Sequence, residues 1–218
     1  MTREFSRRLV WIPVVHSQAD LGSLSVSVKS LLLKRIGPEK WKKREETIEQ
    51  MWRGVQTEVD GLKLNYGKVK LYQDGLPNCG RELGIVEELA KTGSKNHKIL
   101  LGMVKKGAVL VGTESPELLR EEYEFMRRLL TTLESGNMEE PALQREADAR
   151  VLLGKRDRYI ADRIDKTLKP GETGLVFLGV LHSLGKFIPL DIQVKTLGKP
   201  SGLKGIGAKG HADNRANT

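Results

Sequence analysis

Residues 174–189 read GLVFLGVLHSLGKFIP, and the fold turns on how this stretch is understood. Leu175–Leu181 is a short, nearly continuous apolar run that stops at His182, with Gly179 three residues before the histidine. Continuous apolar runs of this length mark strands buried on both faces, as in a parallel sheet covered by helices on either side. The N-terminal RLVWIPVVHSQ repeats the pattern, because Leu9–Val15 is apolar and stops at His16. Val69–Tyr72 and Ala108–Val111 are further runs of the same kind, and Asp191–Val194 is a weaker fifth.

The intervening segments carry helical spacing. Leu21, Leu24, Val28, Leu31 and Leu32 recur at three- and four-residue steps, and Pro38 opens a second helix in the first-turn position proline favours. A third centres on Leu83, Val86, Leu89 and Ala90 and closes near Gly93. A fourth starts after Ser94 as N-cap and stops at Gly107, and a fifth starts at Ser115-Pro116. The longest spans roughly Leu143 to Leu168 and ends at Pro170-Gly171. Strands alternating with helices predict an α/β fold: a single domain over residues 1–195 with a mainly parallel central sheet flanked by helices. Residues 196–218 are rich in Gly, Lys and Ala without apolar periodicity, which predicts a flexible basic tail containing His211.

Composition narrows the function classes. The chain has 218 residues, of which 39% are apolar and 30% charged, enough for one sizeable core. No run approaches the ~18 apolar residues that cross a bilayer, so no membrane partner is expected. The single cysteine, Cys79, excludes an internal disulfide and fits a reducing cytoplasm. The short apolar run after MTREFSRR leads straight into a strand pattern and lacks a small-residue cleavage site, which is unlike a signal peptide. The net charge is +9, and the segment from Lys195 to Thr218 holds five Lys or Arg against one Asp. That tail is suited to contact with nucleic acid, but aromatics make up only 5% and no zinc-finger or RNA-binding motif is present, so nucleic-acid binding is not the favoured function.

In parallel α/β sheets, functional groups gather past the carboxyl ends of the strands. Those ends deliver His16, then Gln73 and Asp74, then Thr113 and Glu114, then His182. Two imidazoles and two carboxylates converging on one crevice suit a divalent transition metal such as Mn, Co, Fe or Zn, which lowers the pKa of bound water and polarises a carbonyl or phosphoryl oxygen. Without metal, the same set suits a histidine base oriented by a carboxylate. Arg156 and Arg163 fall on the apolar arc of the long helix, where a buried arginine needs partners such as Asp157, Asp74, Glu114 or an anionic substrate.

These segments are similar to those of a known family. KRDRYIADRIDKTLKPGETGLVFLGVLHSLG resembles the C-terminal signature of the TraB/Tiki superfamily, which includes ChaN-like and erythromycin-esterase-like proteins: an arginine-bearing helix precedes a strand ending in Gly-x-x-His, here Arg156 and Gly179-Val180-Leu181-His182. VGTESPELL resembles the family's acidic segment, with Glu114 on the acidic position, and VWIPVVHSQADLGSL its first histidine strand, with His16 on the histidine. Pro13 replaces the glycine of that first motif, and Gln73-Asp74 stand where many members carry a Glu. The resemblance implies a hydrolase of peptide or ester bonds. Its Tiki members are similar to Mn- or Co-dependent metalloproteases, its erythromycin-esterase relatives use His and Glu, and its ChaN-like relatives bind haem. Combined with the strand ends, it gives a metal set of His16, Glu114 and His182. Asp74 would be a fourth ligand or general base, and Arg156 would orient a carboxylate or stabilise negative charge, with a small-molecule or peptide substrate.

The rival readings are a cysteine hydrolase at Cys79, close before a helix, and a non-enzymatic module binding haem, metal or a small molecule. No Gly-x-Ser-x-Gly elbow or phosphate-loop spacing is present. The charged helices over SPELLREEYEFMRRLL and WKKREETIEQMW are solvated faces or surfaces for a homo-oligomer.

Overall fold

The computed structural model describes residues 6–15, 24–135 and 141–197. Among these residues the strands are β1 (Arg7–Val14), β2 (Val69–Gln73), β3 (Val109–Leu110), β4 (Thr173–Gly179) and β5 (Ile192–Thr196). The helices are α1 (Ser25–Ile36), α2 (Pro38–Gly61), α3 (Glu82–Lys91), α4 (Lys95–Lys105), α5 (Pro116–Ser135) and α6 (Ala142–Thr167). One sheet takes the order β3–β2–β4–β1–β5, and every pairing in it is parallel. The expected α/β architecture is therefore the observed one. His16, His211 and the tail from residue 198 onward lie outside the described residues, and β5 runs through Thr196.

β4 is central because its sequence can be buried everywhere. Leu175, Val176, Phe177 and Leu178 are all fully buried, and Val176 sits in register with Trp11 of β1 and Tyr72 of β2. Its side chains divide between two cores. Leu175 and Phe177 join Val10, Ile12, Leu71, Trp52, Val55, Val86, Leu100 and Met103 on the face covered by α2, α3 and α4. Val176 and Leu178 join Leu9, Tyr72, Ile160, Ile164 and Leu168 on the face covered by α6. Each of these large side chains contributes about 1.5–3 kcal/mol by leaving water. Gly174 must be small: an added Cβ would lie 2.8 Å from Leu9 Cδ1 and 3.1 Å from Tyr72 Cε2.

The helix starts follow their caps. Ser94 Oγ accepts from His97 N at the start of α4, and Ser115 Oγ accepts from Leu118 N at the start of α5. Gly107 stops α4 with φ 105°, a conformation that favours glycine.

The fourth strand is shorter than its apolar run predicts. It ends at Gly179, and Val180 and Leu181 lie in a turn closed by His182 N donating to Gly179 O at 3.1 Å. Leu181 is 71% exposed, so the hydrophobicity of the run does not mark strand here. Among the described residues no helix is long and apolar enough to cross a membrane.

The topology singles out one crevice. From β2 the chain leaves outward to β3, whereas from β4 it leaves the other way, past β1 to β5. Neighbouring strands whose connections diverge open a cleft at their carboxyl ends, where ligands of α/β proteins bind. In this chain that cleft lies between the ends of β2 and β4.

Candidate functional site

The loop after β2 is stitched to the segment after β3. Asp74 N donates to Phe177 O at 2.8 Å, and Leu76 O accepts from both Thr113 N and Glu114 N at 3.0 Å. Asn78 N donates to Glu114 O at 2.8 Å. The two segments touch so closely at Gly112 that an added Cβ would sit 2.5 Å from Asn78 Cα. Arg163, the second arginine of the apolar arc, braces the same junction by donating from Nε to Gly112 O at 3.0 Å and from Nη2 to Asn78 Oδ1 at 3.2 Å.

This scaffold aims two carboxylates at Arg156. Its Nε donates to Glu114 Oε2 at 2.6 Å and its Nη2 to Glu114 Oε1 at 2.7 Å, the two-pronged geometry in which guanidinium and carboxylate bind best. Nη2 also reaches Asp74 Oδ1 at 2.8 Å, and Nη1 pairs with Glu122 on α5. Glu114 Oε1 accepts in addition from Gly75 N at 2.7 Å. Arg156 is 4% exposed and Glu114 1%, so neither charge has water to fall back on. Burial pushes the Glu114 carboxyl above its ordinary value, while Arg156 and Gly75 pull it back down. The donors on its oxygens fit the ionised form. Burial also works against the charge on Arg156, but Glu114, Asp74 and Glu122 outweigh it and raise the guanidinium pKa.

His182 joins through the other oxygen of Asp74. Its Nδ1 lies 2.6 Å from Asp157 Oδ1 and its Nε2 lies 3.3 Å from Asp74 Oδ2. Asp157 Oδ2 accepts from Ser183 N at 2.8 Å, and Asp74 Oδ2 accepts from Gly179 N at 2.9 Å. Burial disfavours the imidazolium, yet Asp157 and Asp74 more than compensate and raise the pKa from 6.5 to about 10. Both contacts favour the imidazolium form of His182, held between two carboxylates.

The structure thus brings together Asp74, Glu114, Arg156 and His182 from the strand ends and α6. Asp157 and Glu122 complete the set. Asp157 was expected among the partners of Arg156, but it holds His182 instead: consecutive helix positions point about 100° apart. Its place directly after Arg156 was the available signal. Glu122 is one acid among several on an exposed helix, and nothing in its sequence pattern distinguishes it. Gln73 lies beside the set, with Nε2 donating to Asp74 O at 2.9 Å. The Cys79 side chain is exposed, and its backbone N–H donates to Glu82 Oε1 at 2.8 Å as the chain enters α3.

As placed, the described residues do not fit a metal. Both nitrogens of His182 face carboxylates, leaving no lone pair directed outward, and both oxygens of Glu114 are taken by Arg156. The Arg156 guanidinium bridges Asp74 and Glu114. Among the described residues, no group of three or more His, Cys, Asp or Glu could hold a metal ion. His16, the remaining member of the expected ligand set, lies outside them. The set can do acid–base and electrostatic chemistry, because it combines an imidazole, an adjoining carboxylate and a fixed guanidinium in one buried cluster. No family model, curated protein or solved structure matches the chain.

Proposed function

We propose that the chain is a hydrolase of the TraB/Tiki type that cleaves an ester or peptide bond by acid–base chemistry, with His182 as proton donor and Asp74 as proton acceptor. The observation that carries this reading is His182 at the β2/β4 cleft, set between Asp157 and Asp74 with its Nε2 in a long 3.3 Å contact with Asp74. The shorter Asp157 contact holds the ring in place, and substrate entering between the two would take over the longer Nε2 contact with Asp74.

In this mechanism Asp74 takes a proton from water as the water oxygen attacks the carbonyl carbon. The developing oxyanion faces the imidazolium. The bond to the leaving group breaks, and that group takes the Nε2 proton of His182. Asp74 then returns its proton to the imidazole, restoring the pair. Arg156 holds Glu114 and Asp74 in place through its hydrogen bonds, a positioning role.

The test is hydrolysis of nitrophenyl esters and of a fluorogenic peptide set by wild type, His182→Gln and Asp74→Asn. Each variant is expected to lower kcat by about 10²–10⁴, the usual contribution of a positioned acid or base. Chelator and added Mn or Co are expected to leave the rate unchanged. A rate that depends on added metal returns the reaction to the metal set with His16. Absence of hydrolysis across the panel sinks the enzyme reading. It then favours the second one, a ligand-binding module of the same fold, which the complete pairing of Arg156 supports.

A further inference from the structure

α6 has a second face. Opposite the side that carries Arg156 and Asp157, its Val151, Gly154, Lys155, Arg158 and Tyr159 line a groove of about 680 Å³. Leu118 of α5 closes one side, and Phe187, just after the short 3₁₀ turn Leu184–Lys186, closes the other. The volume lies in the ~300–1,000 Å³ range of sites for small organic ligands. Val151 is 60% exposed there, an apolar surface with no protein cover. Gly154 stands in the middle of the helix, where glycine is unfavourable relative to alanine, and a Cβ added to it would meet nothing within 4 Å. The groove is open at its floor because this position carries no side chain.

The charges of the lining are unequal in their pairing. Arg150 faces Glu146 at 3.4 Å, Lys155 faces Glu121 at 3.2 Å, and Asp162 faces Lys166 at 2.7 Å. Arg158 instead lies over the Phe187 ring, 5.2 Å from its centroid, and among the described residues no carboxylate is within ion-pair distance of it. A guanidinium lying on an aromatic ring, above an exposed apolar floor, matches a ligand with an apolar body and one anionic head.

We infer that this groove binds an amphipathic anion, an aryl or alkyl body bearing a single carboxylate, sulfonate or phosphate. The body lies on Val151, Leu118, Tyr159 and Phe187, and the head pairs with Arg158. The site is independent of the hydrolytic reading, because none of its lining residues belongs to the ion network at the β2/β4 cleft.

The experiment titrates the full chain with anilinonaphthalene sulfonate, followed by fluorescence, and with phenylnaphthylamine, the same body without the sulfonate. Saturable one-to-one binding of the sulfonate is expected, at least about tenfold tighter than of the neutral dye, as a charge-assisted contact provides. Arg158→Gln is expected to remove that preference, and Gly154→Phe, which fills the floor, to abolish binding of both dyes while the circular dichroism melt stays cooperative. No saturable binding, equal affinity for the two dyes, or unchanged binding in both variants overturns the proposal. If Gly154→Phe fails to fold, Arg158→Gln and the dye comparison decide it in the same terms.

Discussion

Arg156 and Arg158 stand two residues apart on α6, and their surroundings differ in almost every respect. Arg156 points at the sheet, is 4% exposed and touches Glu114, Asp74 and Glu122. Arg158 points away from it and rests on Phe187 at the rim of a groove. The same side chain is a structural keystone in one place and a loosely held surface charge in the other. Their sequence context, KRDR, gives no hint of the difference. What separates them is desolvation: a buried ion pair is held less by its own attraction than by the penalty for breaking it.

That contrast can be broken most forcefully at Arg156. Among the described residues, Arg156→Met leaves Glu114 buried without a counter-charge and Asp74 with His182 as counter-charge, and the expected loss is about 3–5 kcal/mol in urea unfolding. Combining it with Glu114→Gln should recover part of the loss, whereas an equal or greater loss in the double variant would mean the carboxylates were not the source of the penalty. His182 sharpens the same point through pH. Its folded-state pKa is about 10 against 6.5 in the unfolded chain, so its contribution is fully present below about pH 6.5 and is lost as pH rises through about 10. The stability difference between wild type and His182→Gln, followed from pH 6 to 10.5, should shrink by an amount on the order of 3 kcal/mol. A difference flat across that window would show that the imidazole is not held as a cation.

Smaller effects are expected away from the charges. Gly112→Ala forces a Cβ to within 2.5 Å of Asn78 Cα, a backbone atom that cannot simply rotate aside. A loss of about 1–3 kcal/mol in the same unfolding assay is expected, as for other overpacked sites. At the bottom of the scale, Arg158→Gln should change stability by less than about 0.5 kcal/mol, as for surface substitutions generally. A large effect there would erase the contrast between the two arginines.

The sheet was readable in the sequence because its strands are buried on both faces and so nearly uninterrupted in apolar residues. The boundaries were less so. Val180 and Leu181 extend the run of β4 chemically but belong to an exposed turn, and β3 is only two residues long within its four-residue apolar segment. At the cleft, Asp74, Glu114 and His182 were identifiable from the strand ends, and Arg156 from the apolar arc of the long helix. The hold of Asp157 on His182 was not, because which carboxylate meets which cation depends on how α6 is rotated against the sheet. The metal expectation followed from counting ligand types at strand ends, whereas the apolar arc of the long helix pointed to Arg156 meeting Asp74 and Glu114, as it does.

The strand order has a consequence for the birth of the molecule. Of the five described strands, β4, which supplies the middle of the sheet, is the fourth to be synthesised, whereas β1 and β2 on either side of it are the first two. A nascent chain ending at residue 172 therefore holds about four-fifths of the described helices and strands around a missing centre, with strand edges on β1 and β2 that residues 173–179 fill. Pairings so distant along the chain form slowly, and open edges invite other chains meanwhile. Cotranslational folding should thus stall until Gly179 emerges, and ribosome-stalled chains ending before and after β4 should differ sharply in protease resistance.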